Sequence, residues 1–293
     1  MRALTKVTTD QAISLRLNRS RMPDYDAPAV TLGPLAAAGN VARVTDDTAT
    51  APPQIEFRSD VTVELVRSSA SDSDVLFAAR VSTQGEQTLS SAESGEEADP
   101  KRDRGLINYL MRDRHGSPFE HNSMTFYVQA PIFVFREFMR HRIASYNEES
   151  GRYREMRPVF YVPGPERRLQ QEGKPGHYVF TPGTPEQHRL VDEQTRAACT
   201  TAYAAYRTML DAGITREVAR IVLPLTLYSS MYVTMNARAL MNFLSLRVQR
   251  EDSTFPSYPQ REIEMVAEQM EPLWAALMPL THAAFEQNGR VAP

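Results

Sequence analysis

Between residues 136 and 157 the chain sets Arg136, Arg140, His141, Arg142, Arg152, Arg154 and Arg157 among Glu137, Glu148, Glu149 and Glu155. The stretch leading into this run, IFVFREFM, is mostly apolar. A charge run on a solvated helix is held by water and weak surface ion pairs. Here the cations leave an element that must be buried, so the fold has to meet them with carboxylates or an anionic ligand. Ser145, Asn147, Ser150 and Gly151 lie between them, loop formers that expose backbone N–H groups. Arg forks beside free N–H groups and hydroxyls make a phosphate cradle. The residues favour an anion site over a salt-bridged helix end.

Composition narrows the classes. Of 33 basic residues only Lys6, Lys101 and Lys174 are Lys, which a GC-rich coding sequence alone would produce. The net charge of -3 disfavours non-specific attraction to nucleic acid or anionic membrane, and an Arg-rich RNA-binding module with it. No apolar run approaches the roughly 18 residues of a membrane span. The N-terminal segment lacks the apolar core of a secretory signal, so a cytoplasmic protein is expected. The single cysteine, Cys199, excludes an intrachain disulfide framework, and within RAACTTAYAAY it reads as core packing. There is no G-x-G-x-x-G, no P-loop and no H-E-x-x-H. His115, Glu120, His121 and His141 match no zinc spacing, and no metal site is expected.

Residues 1 to about 55 carry no sustained period and are expected to form an extension, partly disordered or draped on a neighbour. Alternation at 61–66 predicts a strand. Ser73-Asp74 is placed to cap a short helix to Arg80, and 84–103 reads as a loop. A helix at 104–114, a polar turn at 115–121, a strand at 123–130 and a helix at 131–142 follow. Residues 157–185 form a Pro- and Gly-rich irregular excursion. Next come a strong helix from Pro185 to Asp211 closed by Gly213, and a short one from Arg216 to Leu223. A strand at 228–235, a helix at 237–248 and a helical region at 260–287, interrupted at Pro272 and Pro279, complete the chain. The class is α+β (mixed α/β), one domain at 56–293 with an N-terminal arm.

The run RHRIASYNEESGRY, 140–153, resembles the RHR-x7-S signature of flavin-dependent thymidylate synthases. HGSPFEH at 115–121 is similar to that family's His-containing turn. REVARIVLP at 216–224 and NARALMNFLSLR at 236–247 resemble two later blocks, in the same order. The resemblance spans about residues 60–290, outside the first 55 and much of 157–185.

The resemblance implies a central antiparallel-type sheet flanked by helices, and a homotetramer with active sites shared between subunits. It implies FAD bound non-covalently without a Rossmann fold. It implies methylation of dUMP to dTMP, with methylenetetrahydrofolate as carbon donor and NADPH as reductant. FAD contacts fall on Ser117, Arg140, His141, Arg142, Glu148, Asn236, Arg238 and Asn242. Substrate contacts fall on Glu137, Arg140, Glu148, Glu149, Ser150, Gly151, Arg152, Arg220 and Arg247. Arg247 is the family's candidate for activating the uracil ring. The alternative is a non-catalytic flavin- or nucleotide-binding homologue.

The residue chemistry agrees. FAD brings a pyrophosphate and dUMP a phosphate dianion, and Arg140, Arg142, Arg152, Arg220 and Arg238 can donate to them. Uracil must become electron-rich at C5, and an Arg at its N3 edge would stabilise the charge as it develops. Arg238 and Asn242 lie one helical turn apart. Structurally, Asn242 could equally be a buried, backbone-bonded amide and Arg238 an ordinary ion-pair partner. Flavin chemistry needs no cysteine nucleophile, and Ser150, with no relay partner, reads as a phosphate or substrate contact. Glu137 stands where some relatives have Gln, and a carboxylate there repels phosphate unless an Arg bridges the two. Glu149 is expected to act through its backbone. In the long link after Arg247, Tyr258 is the aromatic placed to replace a ring-contacting His.

Overall fold

The chain is described here by a computed structural model, whose described residues are 54–85, 99–174 and 177–293. The arm expected at 1–55 lies almost wholly outside them. Strand β1 (Glu56–Arg58) and β2 (Thr62–Ser69) precede helices α1 (Asp72–Gln84) and α2 (Pro100–Arg112). A 3-10 turn at Ser117–Glu120 leads to β3 (Ser123–Pro131), α3 (Ile132–Phe138) and β4 (Ser145–Glu148). Then come β5 (Val159–Tyr161), β6 (Arg168–Lys174), β7 (His177–Pro182), α4 (Pro185–Asp211) and α5 (Arg216–Ala219). A 3-10 turn at Arg220–Val222, β8 (Tyr228–Met235), α6 (Ala237–Arg247), α7 (Arg261–Leu277) and α8 (Pro279–Gln287) complete it.

The central sheet has the order β2-β3-β8-β4, and all its pairings are antiparallel. Alternation decides its faces. Met124, Phe126, Val128 and Ala130 of β3 and Met231, Val233 and Met235 of β8 point into one core. Leu240, Phe243, Leu244, Val266, Met270 and Trp274 of α6 and α7 fill the same core. On the other face Thr125 bonds Thr234 at 2.9 Å and Tyr127 meets Tyr232 edge-on. A smaller core gathers Phe160, Cys199, Tyr203, Tyr206 and Leu227 under α4. No helix among the described residues is long and apolar enough to cross a membrane.

The mixed class, the helix Pro185–Asp211 and the strand 228–235 match expectation. Several expectations are corrected. The loop expected at 84–103 gives way at Pro100, because Asp99 caps α2 by accepting from the Lys101 and Arg102 N–H groups at 3.0 and 3.3 Å. Ser71, rather than Ser73-Asp74, caps α1, which runs on to Gln84. Helix α3 stops at Phe138 instead of 142, so His141 and Arg142 lie in the turn beyond it. The excursion 157–185 holds β5, paired parallel with β1, and the β6–β7 hairpin. Pro272 does not interrupt α7. It faces solvent while Met270 and Trp274 beside it are fully buried, and that packing outweighs the lost backbone bond.

The last helices are tied by charge. Arg290, 2% exposed, sits among Glu271, Glu286 and His282 and bonds both carboxylates. Burial alone would raise the Glu271 carboxyl, but bonds from His282 and Arg290 overcome it and hold it at about 2. That stabilisation is full at neutral pH and is lost as pH falls from the ordinary carboxylate range towards 2. Arg290→Ala removes the buried cation and leaves the half-buried Glu271 and Glu286 carboxylates uncompensated, which should cost about 3–5 kcal/mol in chemical unfolding. The acid-side fall in stability should flatten with it; an unchanged unfolding midpoint would contradict this network.

Candidate active site

Helix α6 links two parts of the site. Asn236 caps its start, accepting the Ala239 N–H at 2.9 Å, and Asn122 accepts the Ala237 N–H at 2.7 Å. Arg247 ends it, about 15 Å away at 1.5 Å per residue. The buried Leu240, Phe243 and Leu244 stripe fixes the helix's rotation and so the direction of both ends.

At the Arg247 end two distant segments meet. The Arg247 Nε–H donates to His141 Nε2 at 3.0 Å, and its Nη1 lies 2.7 Å from the Glu137 carboxylate. Its Nη2 donates to the Glu137 carbonyl at 3.4 Å. Burial and then the Arg247 charge push the His141 pKa down to about 4. The ring is therefore neutral at physiological pH, its Nε2 accepts, and Nδ1 carries the proton. His141 packs edge-on against Phe243 at 4.9 Å, and Phe243 stacks on Phe138 at 4.9 Å. The Tyr146 hydroxyl lies 2.6 Å from the His141 carbonyl and 2.9 Å from that of Phe138, pinning the turn from the strand side.

Beside β4 lies a second group. Desolvation raises the Glu148 carboxyl, opposed by the nearby Ser229 hydroxyl and by the charges of Arg136 and Arg220. Glu149 does more than its backbone requires: its carboxylate takes Arg154 at 3.0 Å and the Ser230 hydroxyl at 3.2 Å. Its own N–H also bonds the Ser230 carbonyl at 2.8 Å. The Ser150 hydroxyl accepts the Arg152 N–H at 3.3 Å, forming the turn. Arg152 lies 3.4 Å from Glu217 on α5. Gly151 is buried where a Cβ would stand 2.9 Å from Met156 Sδ and 3.2 Å from Arg220 Cδ. A side chain there would displace the Met156 thioether and crowd Arg220.

The third group is at the start of α6. Arg238 donates through Nε to the Pro293 carbonyl at 2.6 Å and pairs with Glu120 at 2.5 Å, so the ion-pair alternative is realised. Gly116 makes room for it, since a Cβ would come within 2.5 Å of Arg238 Nε. Ser117 is exposed at the adjoining 3-10 turn. Asn242 is exposed, which corrects the alternative of a buried amide. Arg140 and Arg142 are exposed and, among the described residues, their side chains make no ion pair. Tyr258 is exposed and lines a cavity of about 590 Å³ with Gln249, Arg167 and Phe180; Arg247 is not among its lining residues.

Tyr146, Phe243, Ser229 and Ser230 were not singled out from sequence, and Glu120 was weighed only as a metal ligand. A signal existed for Tyr146, the one aromatic between Arg142 and Ser150. The fixed Arg247, the unpaired Arg140 and Arg142, and the Gly151 turn against Arg220 make a surface suited to anionic, planar ligands.

Comparison with known proteins agrees. The family model described as thymidylate synthase complementing protein matches residues 64–280. A flavin-dependent thymidylate synthase of Streptomyces coelicolor is 68% identical over 242 residues, 82% of this chain and 97% of that one. One from Tropheryma whipplei is 60% identical over 237 residues, 81% and 97% of the two chains. The crystal structure of a UMP/dUMP methylase PolB from Streptomyces cacaoi bound with 5-Br dUMP superposes with a TM-score of 0.76 at 58% identity. That match covers 82% of this chain and 100% of the other.

The depressed His141 has a testable signature. Acid protonates the unfolded ring first, so this residue's contribution to stability falls as pH drops from 6.5 to about 4. Nitrogen-15 NMR at about pH 6 should find a neutral ring protonated on Nδ1. Arg247→Ala should raise its pKa, and an imidazolium in the unsubstituted protein at that pH would contradict the geometry.

Proposed function

The chain belongs to the flavin-dependent thymidylate synthase family and is an enzyme that methylates dUMP; on that premise we propose how its residues divide the work. The carbon comes from methylenetetrahydrofolate, and NADPH is the reductant. The catalytic domain is 56–293 and the arm 1–55 is accessory, a division supported by β1 starting at Glu56. The observation carrying the proposal is the contact of Arg247 with Glu137 and His141, more than 100 residues away.

The donor set fits FAD. Arg140 and Arg142 are unpaired cations among the described residues. Asn236 uses only its oxygen in the cap and keeps its amide N–H groups. Asn242 is exposed one turn from Arg238. Ser117, Arg140, His141, Arg142, Glu148, Asn236, Arg238 and Asn242 would hold the flavin nucleotide, which supplies two-electron redox capacity when bound.

The nucleotide substrate is held by Arg140, the Glu148–Arg152 turn and Arg220. Glu137 acts through Arg247, whose guanidinium neutralises its carboxylate beside the nucleotide. Arg247 faces N3 of the uracil ring and stabilises the negative charge that grows as N3 loses its proton, so C5 becomes nucleophilic. No protein thiol takes part: Cys199 is 1% exposed in the small core, with Thr226 Oγ1 at 3.3 Å from its sulfur.

A homotetramer with shared sites is part of the proposal. Ile143, Ile221 and Leu246, each next in sequence to a site cation, are exposed and available to a neighbouring subunit. A cytoplasmic setting is also part of the proposal, supported by the single, buried thiol.

Two substitutions test the chemistry. Arg247→Ala should keep FAD and lower dTMP formation about 100- to 1,000-fold, with NADPH oxidation less affected. Stopped-flow flavin reduction beside product assay reads both, and a near-normal dTMP rate would remove Arg247 from this role. Cys199→Ala should retain dTMP formation. Loss of turnover in that variant with FAD still bound would show that the route needs a thiol.

A further inference from the structure

We propose that His141 is a positioning residue for Arg247: its neutral imidazole accepts the Nε–H and fixes the plane and rotation of the guanidinium. This deepens the role given to Arg247 and rests on it.

A lone guanidinium at a helix end turns freely about its last side-chain bonds. Charge stabilisation in a transition state requires donors already aimed when the charge appears. Arg247 has five N–H bonds. Nε–H is taken by His141 at 3.0 Å and one Nη2 hydrogen by the Glu137 carbonyl at 3.4 Å, while Nη1 stands 2.7 Å from the Glu137 carboxylate as an ion pair. The N–H groups left at Nη1 and Nη2 are available to a planar ring. A salt bridge alone would let the guanidinium pivot on its carboxylate; the imidazole contact at Nε is the second point that stops rotation.

The imidazole is itself fixed. Phe243 stands edge-on to it at 4.9 Å, and the Tyr146 hydroxyl holds its backbone carbonyl at 2.6 Å. Phe243 and Arg247 share α6, four residues apart, so one helix carries both the arginine and the ring that packs its partner. The acceptor must be neutral, because an imidazolium would lose the Nε2 lone pair and repel the arginine. Arg247's own charge and the burial keep it so at physiological pH. A His with this bond has only Nδ1–H left for another partner, so its chief effect reaches the substrate through Arg247.

The test uses full-length protein with FAD bound and reads tritium release from C5-labelled dUMP. His141→Phe keeps a ring against Phe243 but removes the acceptor. Losing a hydrogen bond to a charged group should lower the release rate at saturating FAD about 10- to 100-fold, with melting temperature retained. His141→Gln returns an acceptor oxygen and should recover most of the rate. In an Arg247→Ala background, adding His141→Phe should cost less than about a further twofold, since coupled residues are not additive. If the loss in His141→Phe disappears at saturating FAD, or adds whole on top of Arg247→Ala, the positioning role is overturned. Full loss in a folded His141→Gln protein overturns it too. Tritium release by the unsubstituted enzyme tests the function itself. The same cycle measured on dUMP affinity decides the positioning role even without turnover.

Discussion

An arginine that stabilises a developing anion is useful only if it is already charged, already oriented and not neutralised in place. Arg247 meets these demands through two partners of different kinds. Glu137 supplies a charged acceptor at the fork, and neutral His141 supplies a directional one at Nε. Two carboxylates would have fixed the plane equally well but would have cancelled more of its charge. The pairing also requires that α3, the turn after it and the end of α6 stay in register. The stacked Phe138 and Phe243 and the Tyr146 hydroxyl are the contacts that keep them so.

The rest of the fold serves that register. The antiparallel sheet carries β4 on its edge, which brings the Glu148–Arg152 segment alongside β8. Buried methionines and aromatics of β3 and β8 lock α6 and α7 onto one face. The Arg290 network ties α7 to α8, and its chain continues to Pro293, whose carbonyl receives Arg238. Core stability and the start of the site helix are therefore mechanically joined. The small core under α4 has a separate duty: Tyr206 receives the Met156 N–H, and Met156 packs under Gly151 and beside Arg220.

Elements governed by local chemistry were legible in the sequence. Helix Pro185–Asp211 has a Thr184–Gln187 capping box at its start and Gly213 at φ +79° after its end. Strand Tyr228–Met235 has the required alternation. The start of α2 was legible in principle from Asp99-Pro100, a cap followed by a favoured first residue, but the acidic, Ser- and Gly-rich stretch before it masked the signal. Strand β4, Ser-Tyr-Asn-Glu, has little strand character and exists because β8 offers an edge and Tyr146 anchors it. In the site, an Arg-rich anion surface could be read from residue types alone. The meeting of Arg247 with Glu137 and His141 could not, because no local pattern encodes a contact across 106 residues; only the family resemblance pointed to Arg247.

The central claim is that the protein lowers the cost of an anionic uracil ring by placing a fixed guanidinium at its N3 edge. The most direct measurement is an ultraviolet titration of 5-fluoro-dUMP bound to the enzyme, which reports the N3 proton on the ligand itself. The account predicts that bound nucleotide loses this proton at lower pH than free nucleotide, and that the shift disappears in Arg247→Ala. An N3 pKa unchanged or raised on binding would contradict it.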